Sequence, residues 1–143
     1  MSAESVAAAL GGKRVFKTEI HSEFDLASAA MEGLAAGAVS EILASGLLSP
    51  EELYQLVIPR RTFDRRVEGK QPLTVTESDR LLRAIRVVVR AIEALGSSEK
   101  AAKWLRTENR SLRGKVPIAL LETDMGARMV ERTLGRIEHG VHS

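Results

Sequence analysis

The stretch Ser49-Pro-Glu-Glu-Leu-Tyr-Gln-Leu-Val-Ile-Pro-Arg-Arg-Thr-Phe-Asp-Arg-Arg66 decides the fold. The Ser49 hydroxyl can cap a helix, Pro50 is pre-set for a first helical position, and Glu51 and Glu52 sit where the positive helix end favours carboxylates. Leu53, Leu56 and Val57 give that helix one inward face. Ile58-Pro59 breaks it, and a second helix follows over 60–68 with Phe63 and Val67, four apart, as its buried pair. Arg60, Arg61, Thr62, Asp64, Arg65 and Arg66 then face outward. Two short helices, a tight joint and a cationic outer side form the layout of a helix-turn-helix, whose second helix enters the major groove of DNA. Arg60, Arg61, Thr62, Arg65 and Arg66 are the candidate DNA contacts. An arginine fork can hold a guanine edge or a phosphate, and a threonine near the helix start can bond phosphate or touch a thymine methyl. The competing reading is an amphipathic helix whose arginines only keep it soluble.

Charge supports a nucleic-acid footprint in this part of the chain. The net charge of +2 says little, but residues 1–57 hold three Lys or Arg against eight Asp or Glu, whereas residues 58–113 hold fourteen against seven, a net of +7. Residues 114–143 are balanced, four against four. A basic segment between an acidic and a neutral one is the asymmetry expected of DNA binding.

Working outward, residues 1–23 are small, polar and aperiodic and read as a mobile tail. Residues 24–75 form the helix-turn-helix region. It opens with a helix on Leu26, Ala29, Ala30 and Leu34 and a second short one on Val39, Ile42 and Leu43, which Gly46 ends. Residues 76–143 read as a helical C-terminal domain. Thr76 is the expected cap of a long helix with its apolar stripe on Leu81, Leu82, Ile85, Val88, Val89, Ile92 and Leu95. Arg83, Arg86 and Arg90 line its other face, Arg83 within reach of Asp79 and the other two solvated or on phosphate. A helix through Trp104, expected in the core, is followed by a loop over 109–115. A short helix from Pro117 and a last helix turned inward on Met129, Val130, Thr133, Leu134 and Ile137 complete an all-α chain.

With 143 residues, 44% of them apolar, the chain can bury a core, and without cysteine it has no disulfide or thiolate metal site. No apolar run approaches a membrane span and the start lacks the order of a signal peptide, so the expected location is the cytoplasm. His139 and His142 beside Glu138 could hold a metal only on a terminal tail without supporting groups, so neither metal nor cofactor is expected. There is no Gly-x-Ser-x-Gly elbow and no phosphate-cradling glycine loop, and the acidic pairs sit at helix ends. An enzyme is not expected.

The run Glu-Ser-Asp-Arg-Leu-Leu-Arg at 77–83, Ala-Lys-Trp-Leu at 102–105, Asn109, Gly114 with Pro117 and Leu120-Leu121, and Leu-Gly-Arg-Ile-Glu-His-Gly-Val at 134–141 resembles the Xre/MbcA/ParS family of type II antitoxins. The resemblance runs from about residue 24 to the end, and its closing motif is the more specific part. It implies an Xre-like helix-turn-helix followed by a toxin-binding domain. It also implies a cognate RES-type toxin that consumes NAD, and operator DNA bound to repress the gene pair, by default as a homodimer on a palindromic site. By that analogy Arg136, Glu138, His139, Gly140, Val141, His142 and Ser143 cover the entrance of the toxin's active site. Glu108 stands where many members carry proline, and His142 where an aromatic is common. The alternative from the residues alone is a stand-alone helix-turn-helix regulator whose C-terminal half only dimerises.

Overall fold

In a computed structural model that describes residues 2–140, the chain is helical, with no strand longer than an isolated bridge between Asn109 and Lys115 among those residues. Eight α-helices follow in order: α1 (Ala3–Ala9), α2 (Glu23–Glu32), α3 (Gly37–Ser45), α4 (Pro50–Leu56), α5 (Arg60–Glu68), α6 (Val75–Leu95), α7 (Ser98–Leu105) and α8 (Asp124–Glu138). The contacts divide them into one compact unit running to Ile85 and a second from Arg86 onward, so that α6 contributes to both. The division falls ten residues beyond the boundary read from the sequence at 75 and 76, inside the longest helix.

In the first unit, caps decide where the helices begin. Ser22 accepts the Asp25 N–H while the Asp25 carboxylate accepts the backbone N–H groups of His21 and Ser22, a closed capping box on α2. The backbone N–H of His21 first, and then the side chain and the backbone N–H of Ser22, hold the Asp25 carboxyl below its ordinary value, against an opposing effect of burial. Ser49 and Glu52 repeat the box on α4, with Pro50 at the first turn as expected. Helix α6 is capped by Thr74, not Thr76. The Thr74 hydroxyl accepts the Glu77 N–H at 3.1 Å and its backbone N–H donates to Glu77 Oε1 at 2.8 Å. The glutamate three residues on selects the threonine, which is why the cap lies two residues earlier than the start of the apolar stripe suggested.

The first twenty residues, expected to form a mobile tail, are folded. Ser2 caps α1, and Ala3, Val6, Ala7 and Leu10 are buried, as are Phe16 and Ile20 beyond it. Ala3, Val6, Ala7 and Leu10 fall at helical spacing, but two of the four are alanine, which gives the pattern little hydrophobic contrast. Arg14 adds an ion pair to Glu41 of α3 at 2.9 Å. At the centre of this unit the turn after α2 is clamped to the segment leading into α6. The Leu73 N–H donates to Leu34 O at 2.8 Å, and the Leu34 N–H to the buried Ser78 hydroxyl at 2.9 Å. Gly33, at φ +91°, approaches so closely that an added Cβ would lie 2.3 Å from Leu73 O.

In the second unit, α7 starts on a Ser97 cap, and Ala101 and Leu105 form its buried side. Trp104, expected in the core, is only half-buried, one position round the helix from Leu105. The stretch expected as a loop folds into a 3-10 turn, Arg110–Leu112, with Leu112 buried, and a second 3-10 helix, Pro117–Glu122, buries Pro117, Ile118 and Leu121. Helix α8 crosses that element at almost no distance. A Cβ on Gly126 would sit 2.0 Å from Leu120 O, so only glycine permits the crossing. Thr123 caps α8 by accepting the Gly126 N–H, and Ala127, Val130, Thr133 and Leu134 form its buried side. Met129 and Ile137, expected inward, are half-buried. Burying each Leu or Ile side chain contributes about 1.5–3 kcal/mol, so these faces supply most of the driving force for each unit. No helix among the described residues is long and apolar enough to cross a membrane.

Candidate nucleic-acid and protein interfaces

The short helices α4 and α5, joined by Val57, Ile58 and Pro59, take up the arrangement expected from the opening stretch. Leu53, Leu56, Val57, Ile58 and Phe63 are buried beneath them. Phe63 is the sole large apolar anchor of α5. Val67, expected to pair with it, is 50% exposed. On the outer side Arg60, Arg61 and Arg65 project into solvent, Arg60 loosely held by Asp64 at 3.9 Å, while Thr62 is half-buried. The three arginines make the solvent side of α5 cationic, with Asp64 beside Arg60.

Arg66 is different from its neighbours. Its Nε and Nη2 both donate to the Glu77 carboxylate, each at 3.2 Å, and its side chain is 25% exposed against 12% for Glu77. This two-pronged grip uses the planar geometry that suits arginine, but the acceptor is the first turn of α6 and not a base or phosphate. Burial pushes the Glu77 carboxyl up, yet the hydrogen bonds from Arg66 and the Thr74 backbone outweigh it, and the group is held below its ordinary value. Glu77 therefore closes the cap of α6 and fixes α5 at once. Spacing alone places Arg66 with the outward arginines, because a helical repeat cannot show a carboxylate eleven residues away.

In the second unit, two arginines that the sequence left solvated are tied down. Arg86 Nη2 reaches Glu131 Oε1 at 3.1 Å and Arg90 Nε reaches Glu138 Oε1 at 3.0 Å, stapling the later turns of α6 to α8. Glu138, a candidate for partner contact, is thus already engaged within the chain. Arg136 and His139 are exposed, with Arg136 Nη2 donating to the Thr133 hydroxyl at 3.3 Å. Gly140 closes the end of α8 with φ +71° and its N–H on Ile137 O. Val141, His142 and Ser143 lie outside the described residues.

A helix-turn-helix with a cationic second helix, followed by a separate helical unit, defines a DNA-binding protein with a second module. The comparisons make that class specific. Residues 25–86 match the family described as the antitoxin Xre-like helix-turn-helix domain, and residues 90–140 match the antitoxin Xre/MbcA/ParS C-terminal toxin-binding domain. The chain is similar to the antitoxin Xre of Pseudomonas putida, 36% identical over 122 residues, which is 85% of this chain and 76% of that one. It is likewise similar to the antitoxin Xre of Photorhabdus laumondii, 34% identical over 114 residues, covering 78% and 77% of the two chains. A shorter match to the antitoxin Xre of Yersinia enterocolitica is 39% identical over 87 residues, 60% of this chain and 59% of that one. The chain belongs to the Xre antitoxin family, with its helix-turn-helix and its toxin-binding domain.

Proposed function

We propose that this chain is the antitoxin of a two-gene system whose toxin is of the RES type and consumes NAD, and that it also represses its own operon. In this reading Arg60, Arg61, Thr62 and Arg65 face operator DNA, with Arg66 holding α5 in place from behind. Arg136, His139 and Gly140, with Val141, His142 and Ser143, cover the toxin's active-site entrance, and Glu138 supports them through Arg90. The protein acts as a homodimer, which a two-fold operator favours. The observation that carries the reading is the agreement of two divisions. The compact units part between Ile85 and Arg86, and the DNA-binding and toxin-binding matches part between residues 86 and 90.

Inhibition of this kind asks no chemistry of the chain. A helix end and tail buried against the partner exclude its substrate, and a few well-seated anchors suffice for tight binding. The test is co-expression with the product of the adjacent reading frame, scoring growth, intracellular NAD and co-purification. The expected result is a neighbour that drains NAD alone and is silenced in a complex with this chain. A harmless neighbour that fails to co-purify would sink the toxin reading and leave a stand-alone regulator. Deleting Arg136 to Ser143 is expected to restore NAD consumption; full inhibition by the shortened chain at equal stoichiometry would defeat steric blockade.

A further inference from the structure

Helix α8 carries three acidic and three basic residues and would count as neutral. The fold sorts them onto different sides. Glu131 and Glu138 turn toward α6 and are consumed by Arg86 and Arg90. Met125, Arg128, Arg132 and Arg136 are all exposed, and at 3.6 residues per turn they fall within a stripe about 80° wide. Asp124 stays on the outward side with them, where Arg128 Nε reaches it at 3.0 Å with both side chains mostly in solvent. Arg132 has no carboxylate within ion-pair reach among the described residues. His139 continues the same stripe past the helix end. Met125, 65% exposed, provides an unbranched, adaptable apolar contact at the leading turn.

We propose that this stripe, Met125, Arg128, Arg132 and Arg136, is the docking face for an acidic surface on the toxin. The proposal rests on the toxin-binding reading above and extends it from the tail to the whole outward length of α8. The partner chemistry follows from the charge sorting. A helix face bearing three arginines about one turn apart, with two of the helix's three acids withdrawn, repels cationic surfaces and attracts anionic ones. Such complementarity acts first on the encounter rate and on partner choice. Arginine also keeps its value when desolvated at an interface, where its fork can hold a carboxylate. The tail then covers the substrate entrance while the stripe orients the partner.

The test uses the full chain and the neighbouring gene product as a catalytically inactive protein, with association followed at low and high salt. For the unaltered chain the expected association rate is high at low salt and falls steeply as salt rises. Replacing Arg128→Glu with Arg132→Glu is expected to lower the low-salt rate roughly tenfold or more and to flatten the salt response, with operator affinity unchanged. Arg128→Lys with Arg132→Lys should retain most of the rate. Arg132→Glu alone breaks no ion pair of the chain and should show part of the loss, which keeps the test valid if the double variant folds poorly. Unaltered association by the reversed variants would overturn the stripe, and so would a loss of operator affinity in their place, which would assign it to DNA. Failure of the unaltered chain to bind the neighbour at all would overturn the toxin-binding reading itself.

Discussion

Helix α5 carries four arginines and α8 three, and in both the partner side chains on α6 decide which charges reach solvent. The two cases run in opposite senses. On α5 an acid from α6, Glu77, withdraws one arginine and leaves Arg60, Arg61 and Arg65 outside. On α8 two bases from α6, Arg86 and Arg90, withdraw two of the three acids and leave the arginines outside. The exposed result is cationic in both, but only the first is visible as an excess in the sequence. A neutral composition can hide a charged face when one sign is consumed internally.

Gly126→Val places atoms where Leu120 O already lies and is expected to destabilise the second unit by about 3 kcal/mol or more. Thermal unfolding should show the loss, and co-purification with the toxin should fail while operator binding by the first unit survives. Loss of both activities together would mean that the two units do not fold independently.

Glu77→Ala comes next, because it leaves the half-buried Arg66 unpaired and removes the carboxylate half of the capping box of α6, the bond from the Thr74 N–H. A fully buried pair broken on one side costs about 3–5 kcal/mol, and partial exposure here reduces the expected loss to about 2 kcal/mol. Since the folded state holds Glu77 below its ordinary value, its stabilisation is present above the ordinary glutamate range and is lost as pH falls through the depressed value. Unfolding across that acidic window should therefore be steeper for the unaltered chain than for Glu77→Gln. Parallel curves would remove Glu77 from the account.

Single replacements Arg61→Ala and Arg65→Ala should leave unfolding almost unchanged and weaken operator binding. A phosphate contact is expected to reduce the salt slope by about one, and a base contact to cost about 1–3 kcal/mol at one operator position. Arg66→Ala sharpens the contrast, since it should lower stability without reducing the salt slope. The smallest effect is expected at Val67→Lys, within about 0.5 kcal/mol of the original stability, because that side chain is half in water. A large loss there would restore it to the core.

Much of the fold was legible because it is written in local chemistry. Ser49-Pro50 with Glu52 announces α4 by itself, Gly46 ends α3, and the arginines at 60, 61 and 65 lie outward by spacing alone. The errors fall where a residue's state depends on something distant. Val67 sits at the right spacing from Phe63 but is left half exposed, and Trp104 yields the core to Leu105. Residues 2–20 bury Ala3, Val6, Ala7 and Leu10 at helical spacing, a pattern weakened by its two alanines, and then Phe16 and Ile20 outside any regular repeat. The fates of Arg66, Arg86 and Arg90 were set by carboxylates eleven, 45 and 48 residues along the chain, beyond any helical repeat. The partner-facing residues were legible mainly through the closing motif, and three of them, Val141, His142 and Ser143, lie outside the described residues.

The packed opening segment bears on how this protein can be dissected. The helix-turn-helix match begins at residue 25, whereas Val6, Leu10, Phe16 and Ile20 are already interior. A fragment trimmed to the matched residues would strip those side chains from the interior and wet the surfaces they cover, inviting aggregation of a domain that is sound when left whole. A DNA-binding fragment meant for operator footprinting should keep the first twenty residues, and an affinity handle belongs away from Ala3, whose side chain is buried.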